Sequence, residues 1–276
     1  MNSFRVLVRK MGQGKKWEAL NKVGIIGVPF EKGQKKYGVS IAPAAMRSAG
    51  LIEQLKEIDG LDVKDYGDID TPGSADSVDI ENMAHLPLVS ECNKRVSEKV
   101  SQVLKDDRVV VTIDMILIWV DAHADINTNK TSGSGSVHGM PVALLVKEMA
   151  DYWPYLPTMD WQVPKFSIKN LGYVGLLESK PSYLKTKRPS SLKKALRGGL
   201  TLREAINLME IIHSTGRLRA IDLVEINPAL GNDSDRKRTL EAGLCILKAA
   251  LGFSRRGTTP RGVKDLPIQT FHNNNK

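Results

Sequence analysis

The stretch 118–127, IWVDAHADIN, places two aspartates and a histidine at alternate positions directly after an apolar run. Side chains alternate between the two faces of an extended chain, so Asp121, His123 and Asp125 are predicted to share one face. Two carboxylates and one imidazole without thiolate favour Mn²⁺, Mg²⁺ or Fe²⁺ over structural Zn²⁺. The spacing leaves open an alternative, a polar strand end held by ion pairs and hydrogen bonds. Uncompensated carboxylates beside a core are costly, which favours the metal interpretation.

The composition limits the classes of protein to which this chain can belong. The chain has 276 residues, of which 41% are hydrophobic and 26% charged, enough for one large α/β domain or two small ones. No apolar run approaches the roughly 20 residues of a membrane span. The net charge of +9 is spread along the chain, which favours a basic surface over nucleic-acid binding. Cys92 and Cys245 are too few for a disulfide framework and are predicted to be free thiols.

Apolar runs that alternate with amphipathic stretches predict the elements that position these residues. Such an alternation indicates an α/β fold with a parallel sheet covered on both faces. In parallel sheets, sites lie outside the carboxyl ends of the strands. Asp121 and its neighbours have such a position, and so do Asp222 and Glu225. Strands are predicted at 23–28, 61–69, 109–120, 170–178 and 218–228, and helices at 43–58, 87–104, 140–150, 202–215 and 235–252.

The N-terminal segment 1–21 has a different character. It carries five basic residues and no acidic residue before Glu18, and its apolar residues fall at helical spacing. This pattern is typical of a mitochondrial transit peptide, and a frayed basic tail is the alternative. We therefore predict a mitochondrial location, with the cytoplasm as the alternative. The segment 22–257 is predicted to be one domain, followed by a polar tail at 258–276.

Four blocks in the same order make the sequence similar to a known family. They are GVPFEKGQKKYGVSIAPAAMRSAGL, WVDAHADIN, SGSGSVHGMPVALLVKE and GGLTLREAINLMEII with LRAIDLVEINPALG. Together they resemble the manganese-dependent arginases of the ureohydrolase superfamily over most of 23–257. The resemblance implies a three-layer αβα fold with a mainly parallel central sheet. It also implies hydrolysis of L-arginine to L-ornithine and urea by a manganese-activated hydroxide. Because the charge is spread along the chain and no long apolar run occurs, neither a nucleic-acid nor a membrane partner is expected.

The resemblance assigns roles around the metal. Asp121, His123 and Asp125 match metal ligands of the family, in which two Mn²⁺ ions per subunit generate hydroxide from a shared water. Asp125 also matches the aspartate that holds this water and relays its proton. His138 matches a histidine for proton transfer at the site mouth, a role suited to imidazole. An ordinary loop histidine is the alternative for His138.

The resemblance also assigns residues that contact the substrate. Asn127 and Ser134 align with residues that bind the α-carboxylate of the substrate, and Glu225 with the glutamate that holds the guanidinium. The alternative for Glu225 is a charged residue that ends a strand. Animal-type relatives are usually trimers, and the stretch 252–260, GFSRRGTTP, resembles their assembly segment. A homo-oligomer is therefore expected.

Two departures from the family pattern reduce the number of metal ligands that the sequence can provide. The family has a Gly-Gly-Asp-His-Ser stretch before the Asp-Ala-His strand, whereas RVVVTIDMILIWVDAHAD runs directly into that strand. The Asp-x-Asp-Gly-Leu-Asp-Pro strand end is also missing, because KRPSSLKKALRGGLTLREA contains no carboxylate before its final glutamate. Three of six ligands are therefore absent, and one Mn²⁺ or none is expected. An internally shortened arginase lacking one or two strands is predicted, and the alternative is a non-catalytic relative that assembles with other subunits.

Overall fold

A computed structural model describes residues 3–9, 21–73, 78–106, 108, 115–153, 159–164, 166–176 and 200–254. The described chain alternates strands and helices, as predicted. The strands are β1 (Ser3–Arg9), β2 (Lys22–Gly27), β3 (Asp62–Asp68), β4 (Met115–Val120), β5 (Leu171–Val174) and β6 (Leu218–Val224). The helices are α1 (Ala42–Ser48), α2 (Leu51–Lys56), α3 (Leu86–Lys105), α4 (Pro141–Leu145), α5 (Leu202–Ser214) and α6 (Asp233–Ala250).

The strands form a four-stranded sheet in the order β5-β4-β1-β6 and a two-stranded parallel sheet of β2 and β3. β5 is parallel to β4, whereas β1 is antiparallel to both β4 and β6. Since β4 and β6 both run opposite to β1, they are parallel to each other and their carboxyl ends reach the same edge. The apolar spacing of the N-terminal segment suggests a helix, but residues 3–9 form the strand β1, which lies between β4 and β6.

Helices cover both faces of β4. Val120 packs in a cluster with Met209 of α5 and Ala250 of α6, whereas Trp119, which is 1% exposed, packs with Val142 of α4. Adjacent strand residues point to opposite faces, so this pair places one helix layer on each side of the sheet. The predicted three-layer αβα architecture is confirmed.

Local signals in the sequence explain the start of α5 and the division between α1 and α2. Thr201 accepts a hydrogen bond from the backbone N–H of Glu204, and the Glu204 carboxylate accepts from the N–H of Thr201, so a capping box begins α5. The single helix predicted at 43–58 is divided into α1 and α2 at Gly50, which has a φ of 86°. This left-handed conformation is one that glycine adopts without steric cost.

Both cysteines are free thiols, as predicted. Cys92 is buried in α3, and burial raises the pKa of its thiol to about 11. It is therefore protonated at neutral pH and acts as a small apolar side chain. None of the helices in the described ranges is long and apolar enough to cross a membrane.

Candidate functional site

The extended chain of β4 ends before the predicted ligands. The N–H of Asp121 still donates to the carbonyl of Val174 at 3.1 Å, but residues 121–123 form a bend. Asp125 has a φ of 50°, which no extended strand contains. The prediction that Asp121, His123 and Asp125 share one strand face is therefore wrong, because alternation stops at Val120.

The bend instead brings two of the predicted metal ligands, Asp121 and His123, close together. Oδ1 of Asp121 accepts the backbone N–H of His123 at 2.9 Å and lies 3.4 Å from Nδ1 of that histidine. Two donors that are each about 2.1 Å from one cation lie roughly 3.0 to 3.4 Å apart at bond angles between about 90° and 109°. The Asp121 side chain is 12% exposed and that of His123 is 75% exposed. The distance between these two atoms is thus compatible with both side chains binding one solvent-accessible cation.

A dinuclear centre does not fit the part of the chain that the structure describes. Within those residues, no group of three or more His, Cys, Asp or Glu side chains is arranged to hold a metal. Hard divalent cations are often bound by one or two protein ligands and several waters. The described donors therefore fit one such cation at Asp121 and His123.

Two candidate site acids have strained backbones. Asp125 and Glu225 have φ values of 50° and 60°, in the left-handed region that L-residues seldom occupy. Each follows the carboxyl end of a strand of the same sheet, β4 and β6 respectively. The carbonyl of Asp125 accepts the N–H of Val142 at 3.0 Å, so the start of α4 stabilises this conformation. Strain at two carboxylates on one sheet edge is typical of functional positions.

Tyr173 supports the bend after β4, and sequence reasoning missed it. Its hydroxyl donates to the carbonyl of Ala124 at 2.7 Å. Burial, with a smaller contribution from the negative charge of Asp125, raises the pKa of Tyr173 to about 12. The phenol therefore remains a donor at neutral pH and ties the segment between His123 and Asp125 to β5. A tyrosine near the end of the strand next to β4 was the only available signal.

The three remaining candidates downstream of β4 lie on one loop, 127–139, called here the ligand loop. The N–H of Asn127 donates to the carbonyl of Gly139 at 3.1 Å, which closes the loop at its base. The hydroxyl of Thr131 donates to Oδ1 of Asn127 at 3.2 Å, and the hydroxyl oxygen of Ser134 accepts the N–H of Ser136 at 3.3 Å. Ser134 and His138 are exposed, so their side chains can meet a ligand from solvent.

A second loop, residues 31–40, joins the two halves of the site and is called the rim loop. Its Gly33 carbonyl accepts the backbone N–H of His138 at 3.1 Å and lies 3.1 Å from Nδ1 of the same residue. At its other end, the carbonyl of Tyr37 accepts from Nδ2 of Asn227, two residues after Glu225, at 2.8 Å. The rim loop therefore links the ligand loop to the end of β6.

Acidification is expected to loosen the rim loop through Glu31. Its Oε2 accepts the N–H of Gly38 at 2.7 Å and the hydroxyl of Ser40 at 2.9 Å. The Gly38 hydrogen bond is the largest contribution, and with the Ser40 bonds it lowers the pKa of Glu31 despite partial desolvation. A depressed folded pKa gives stability that is present above the unfolded pKa of about 4.3 and is lost as the pH falls through the folded value. Unfolding free energies should therefore fall more steeply below about pH 4.5 in the parent than in Glu31→Gln.

The control for this prediction is Glu53→Gln, which changes an exposed carboxylate on α2. It should retain the acid dependence of the parent. Equal acid dependence in Glu31→Gln and the parent would show that the Glu31 carboxylate does not hold the rim loop.

Comparisons with known proteins agree on one family. A family model described as "Arginase family" matches residues 21–114, 113–155 and 193–252. The chain is 32% identical to Arginase-1 of Homo sapiens over an alignment of 304 positions that covers 85% of this chain and 94% of that protein. It is 31% identical to Arginase-2, mitochondrial, of Rattus norvegicus, with 87% of each protein covered. The structure of arginase from Bacillus caldovelox is similar in fold, with a TM-score of 0.66 at 24% identity over 85% of this chain and 99% of that chain.

The same comparisons mark where the chain differs from its relatives. The 304 alignment positions exceed the 276 residues of the chain, so the relative contains internal segments that have no counterpart here. The family match is interrupted at 113–114 and between 155 and 193. The first interruption is where the sequence predicts the missing Gly-Gly-Asp-His-Ser segment. The second interruption ends within the stretch 187–205, in which the Asp-x-Asp strand end is missing.

Proposed function

Since the chain belongs to the arginase family, we propose that it hydrolyses L-arginine to L-ornithine and urea. One observation carries the proposal: β4 and β6 are parallel and end at one sheet edge. Asp121 follows β4 and Glu225 follows β6, with one strand between them. Neighbouring strands are about 4.8 Å apart, so the two strand ends are about 10 Å apart. A cation at one end and a guanidinium at the other can share this space.

The residues around this edge have complementary roles in the proposed reaction. Asp121 and His123 would hold one Mn²⁺, and a bound Mn²⁺ lowers the pKa of a coordinated water. The Asp125 carboxylate would accept a proton from the attacking water, and the Glu225 carboxylate would neutralise the substrate guanidinium. Hydrolysis forms a C–O bond to the guanidinium carbon and breaks a C–N bond, and the leaving δ-amine needs a proton. His138 lies on the exposed ligand loop and is the proposed donor of that proton.

The rest of the proposal concerns orientation, assembly and location. Asn127 and Ser134 would receive the α-carboxylate, because both lie on the ligand loop that leaves the end of β4. A homo-oligomer, a trimer as in animal-type relatives, rests on the resemblance of 252–260 to their assembly segment. A mitochondrial location rests on the basic segment 1–21, and the name of one relative specifies mitochondria. The cytoplasm is the alternative.

The proposed function is tested by urea release from L-arginine after manganese loading. We expect one Mn²⁺ per chain and manganese-dependent urea release. Asp125→Ala should reduce the rate by about 100-fold or more, since the carboxylate acts on the attacking water. Asp151→Ala, at an exposed aspartate outside the site, is the control and should leave the rate unchanged. Two Mn²⁺ per chain would contradict the one-cation site.

A second candidate function is a non-catalytic subunit that assembles with intact arginases. The donor pair at Asp121 and His123, without a third side chain among the described residues, favours this candidate. It predicts that the folded, manganese-loaded chain releases no urea but co-purifies with a full-length family member. A strictly monomeric chain in the presence of such a subunit would exclude it.

A further inference from the structure

A tight turn before α3 contacts the middle of the ligand loop, between Asn129 and Gly135. The N–H of Ile80 donates to the carbonyl of Met83 at 3.1 Å, and the N–H of Met83 donates to the carbonyl of Ile80 at 2.8 Å. The two central residues, Glu81 and Asn82, have φ values of 49° and 62°. Positive φ at both central positions defines a type I′ turn, and asparagine is among the residues that tolerate it best.

The carboxamide of Asn82 lies against the backbone of the ligand loop. Its Nδ2 donates to the carbonyl of Asn129 at 2.8 Å and to that of Ser132 at 3.2 Å. Two residues further along, the N–H of Ala84 donates to the carbonyl of Gly135 at 2.9 Å. The turn and the residue that follows it therefore donate to three carbonyls of the ligand loop, and Asn82 provides both side-chain contacts.

The contact between the turn and the ligand loop is close and partly buried. A Cβ at Gly135, which has a φ of 67°, would lie 2.7 Å from the backbone oxygen of Asn82. Asn129 is 4% exposed, so its backbone is not freely solvated. Met83 is 0% exposed and packs in a cluster with Val137. The turn and the ligand loop thus form one packed unit.

We propose that Asn82 is a positioning residue that holds the ligand loop in the conformation that binds the α-amino-acid end of the substrate. Its two carbonyl contacts lie between Asn127 and Ser134 in the sequence, the two residues proposed to receive the α-carboxylate. The identity of that ligand rests on the proposed function, whereas the positioning of the loop rests on the hydrogen bonds. Asn82 acts on the substrate only through the loop, so its loss should affect recognition of the α-carboxylate and leave the guanidinium end unaffected.

Three substitutions separate the side chain from the backbone conformation. Asn82→Gly keeps the positive φ and removes the donor. Asn82→Asp keeps the shape but places an ionised, acceptor-only carboxylate against two carbonyls. Glu81→Gly is the matched control, because it changes the neighbouring positive-φ residue of the same turn and leaves both Asn82 contacts in place.

The first measurement is hydrogen exchange of the full chain, which does not depend on catalysis. Asn82→Gly and Asn82→Asp should increase exchange of the amides in 127–139 by about tenfold, whereas Glu81→Gly should leave it unchanged. Protection of 127–139 that is equal in Asn82→Gly and the parent would overturn the positioning role. Loss of protection along the whole chain in both Asn82 variants would also overturn it, because Asn82 would then support the fold in general.

The second measurement compares the binding of L-arginine and agmatine to manganese-loaded protein by calorimetry. Agmatine has the guanidinium but no α-carboxylate. Asn82→Gly should lower the affinity for L-arginine by about tenfold and leave the affinity for agmatine unchanged. An equal loss of affinity for both ligands would overturn the proposal that Asn82 acts selectively on recognition of the α-carboxylate. A parent that binds neither ligand would refute the proposed function, and the exchange measurement alone would then decide whether Asn82 positions the loop.

Discussion

Replacing Gly38 by alanine is expected to lower the free energy of unfolding by more than about 2 kcal/mol and to detach the rim loop from the end of β6. Gly38 has a φ of 105°, and an added Cβ would lie 2.5 Å from the Cβ of Ala229 and 2.5 Å from Oδ1 of Asn227. The left-handed conformation alone costs an L-residue about 1 to 2 kcal/mol. The two close contacts then force the loop to move.

The displacement would break the contacts that join the two halves of the site. The bond from Asn227 to the carbonyl of Tyr37, at 2.8 Å, and the bond from Gly38 to Glu31, at 2.7 Å, both depend on the present path of the rim loop. The loop also contacts His138 through Gly33. We therefore expect a weaker affinity for L-arginine in addition to the lower stability.

Gly33→Ala is a suitable control for the Gly38 prediction. Gly33 lies on the same loop, and a Cβ there would meet nothing within 4 Å. Chemical denaturation and L-arginine calorimetry on both variants measure the two effects. A Gly38→Ala protein as stable as Gly33→Ala would show that the rim loop can leave the end of β6 at no cost.

Most of the fold was predictable because its signals are local. Apolar runs and helical periodicity predicted β2, β3, β5, β6, α3, α5 and α6 to within a few residues. Each of these signals acts within one element, so a single sequence contains it. The three-layer arrangement followed because strands with two covered faces must alternate with helices.

The site was predicted less completely, since its geometry depends on residues that are distant in the sequence. Alternation along β4 predicted three ligands on one face, but the bend at 121–123 ends this alternation, and Asp125 beyond it has a left-handed conformation. The support from Tyr173 and Asn82 comes from residues that are 47 to 50 positions away in the sequence. No local pattern indicated that these side chains reach the backbone around the candidate ligands.

The strand β1 is where the sequence prediction and the structure differ most. Phe4, Leu7 and Met11 are spaced as on a helix, yet Ser3–Arg9 pairs with β4 on one side and β6 on the other. The alternate apolar residues Phe4, Val6 and Val8 fit this strand. An extended segment with two partners satisfies backbone groups on both of its edges, whereas an isolated short helix gains little stability in water. Removal of residues 1–21, the segment predicted to be a transit peptide, would also remove β1. Among the described residues, β4 would then pair only with β5, and β6 would have no strand partner.

Proline at position 6 should therefore destabilise the whole four-stranded sheet. Val6 is the register partner of Ile118 in β4 and of Ile221 in β6. Proline cannot donate a ladder hydrogen bond and is excluded from the interior of central strands. One orphaned partner carbonyl costs about 1 to 3 kcal/mol, and the ring adds steric strain. We expect Val6→Pro to lower the free energy of unfolding by more than about 3 kcal/mol and to increase hydrogen exchange in 115–120 and 218–224.

Val6→Thr is the matched control, because threonine is β-branched like valine and keeps the backbone N–H. It should retain the exchange protection of both partner strands. Protection in 115–120 and 218–224 that survives Val6→Pro would mean that β4 and β6 are held together without β1. If protection is lost in β4 and β6 together, the candidate site depends on the N-terminal strand, because that strand sets the separation between the end that carries Asp121 and the end that carries Glu225.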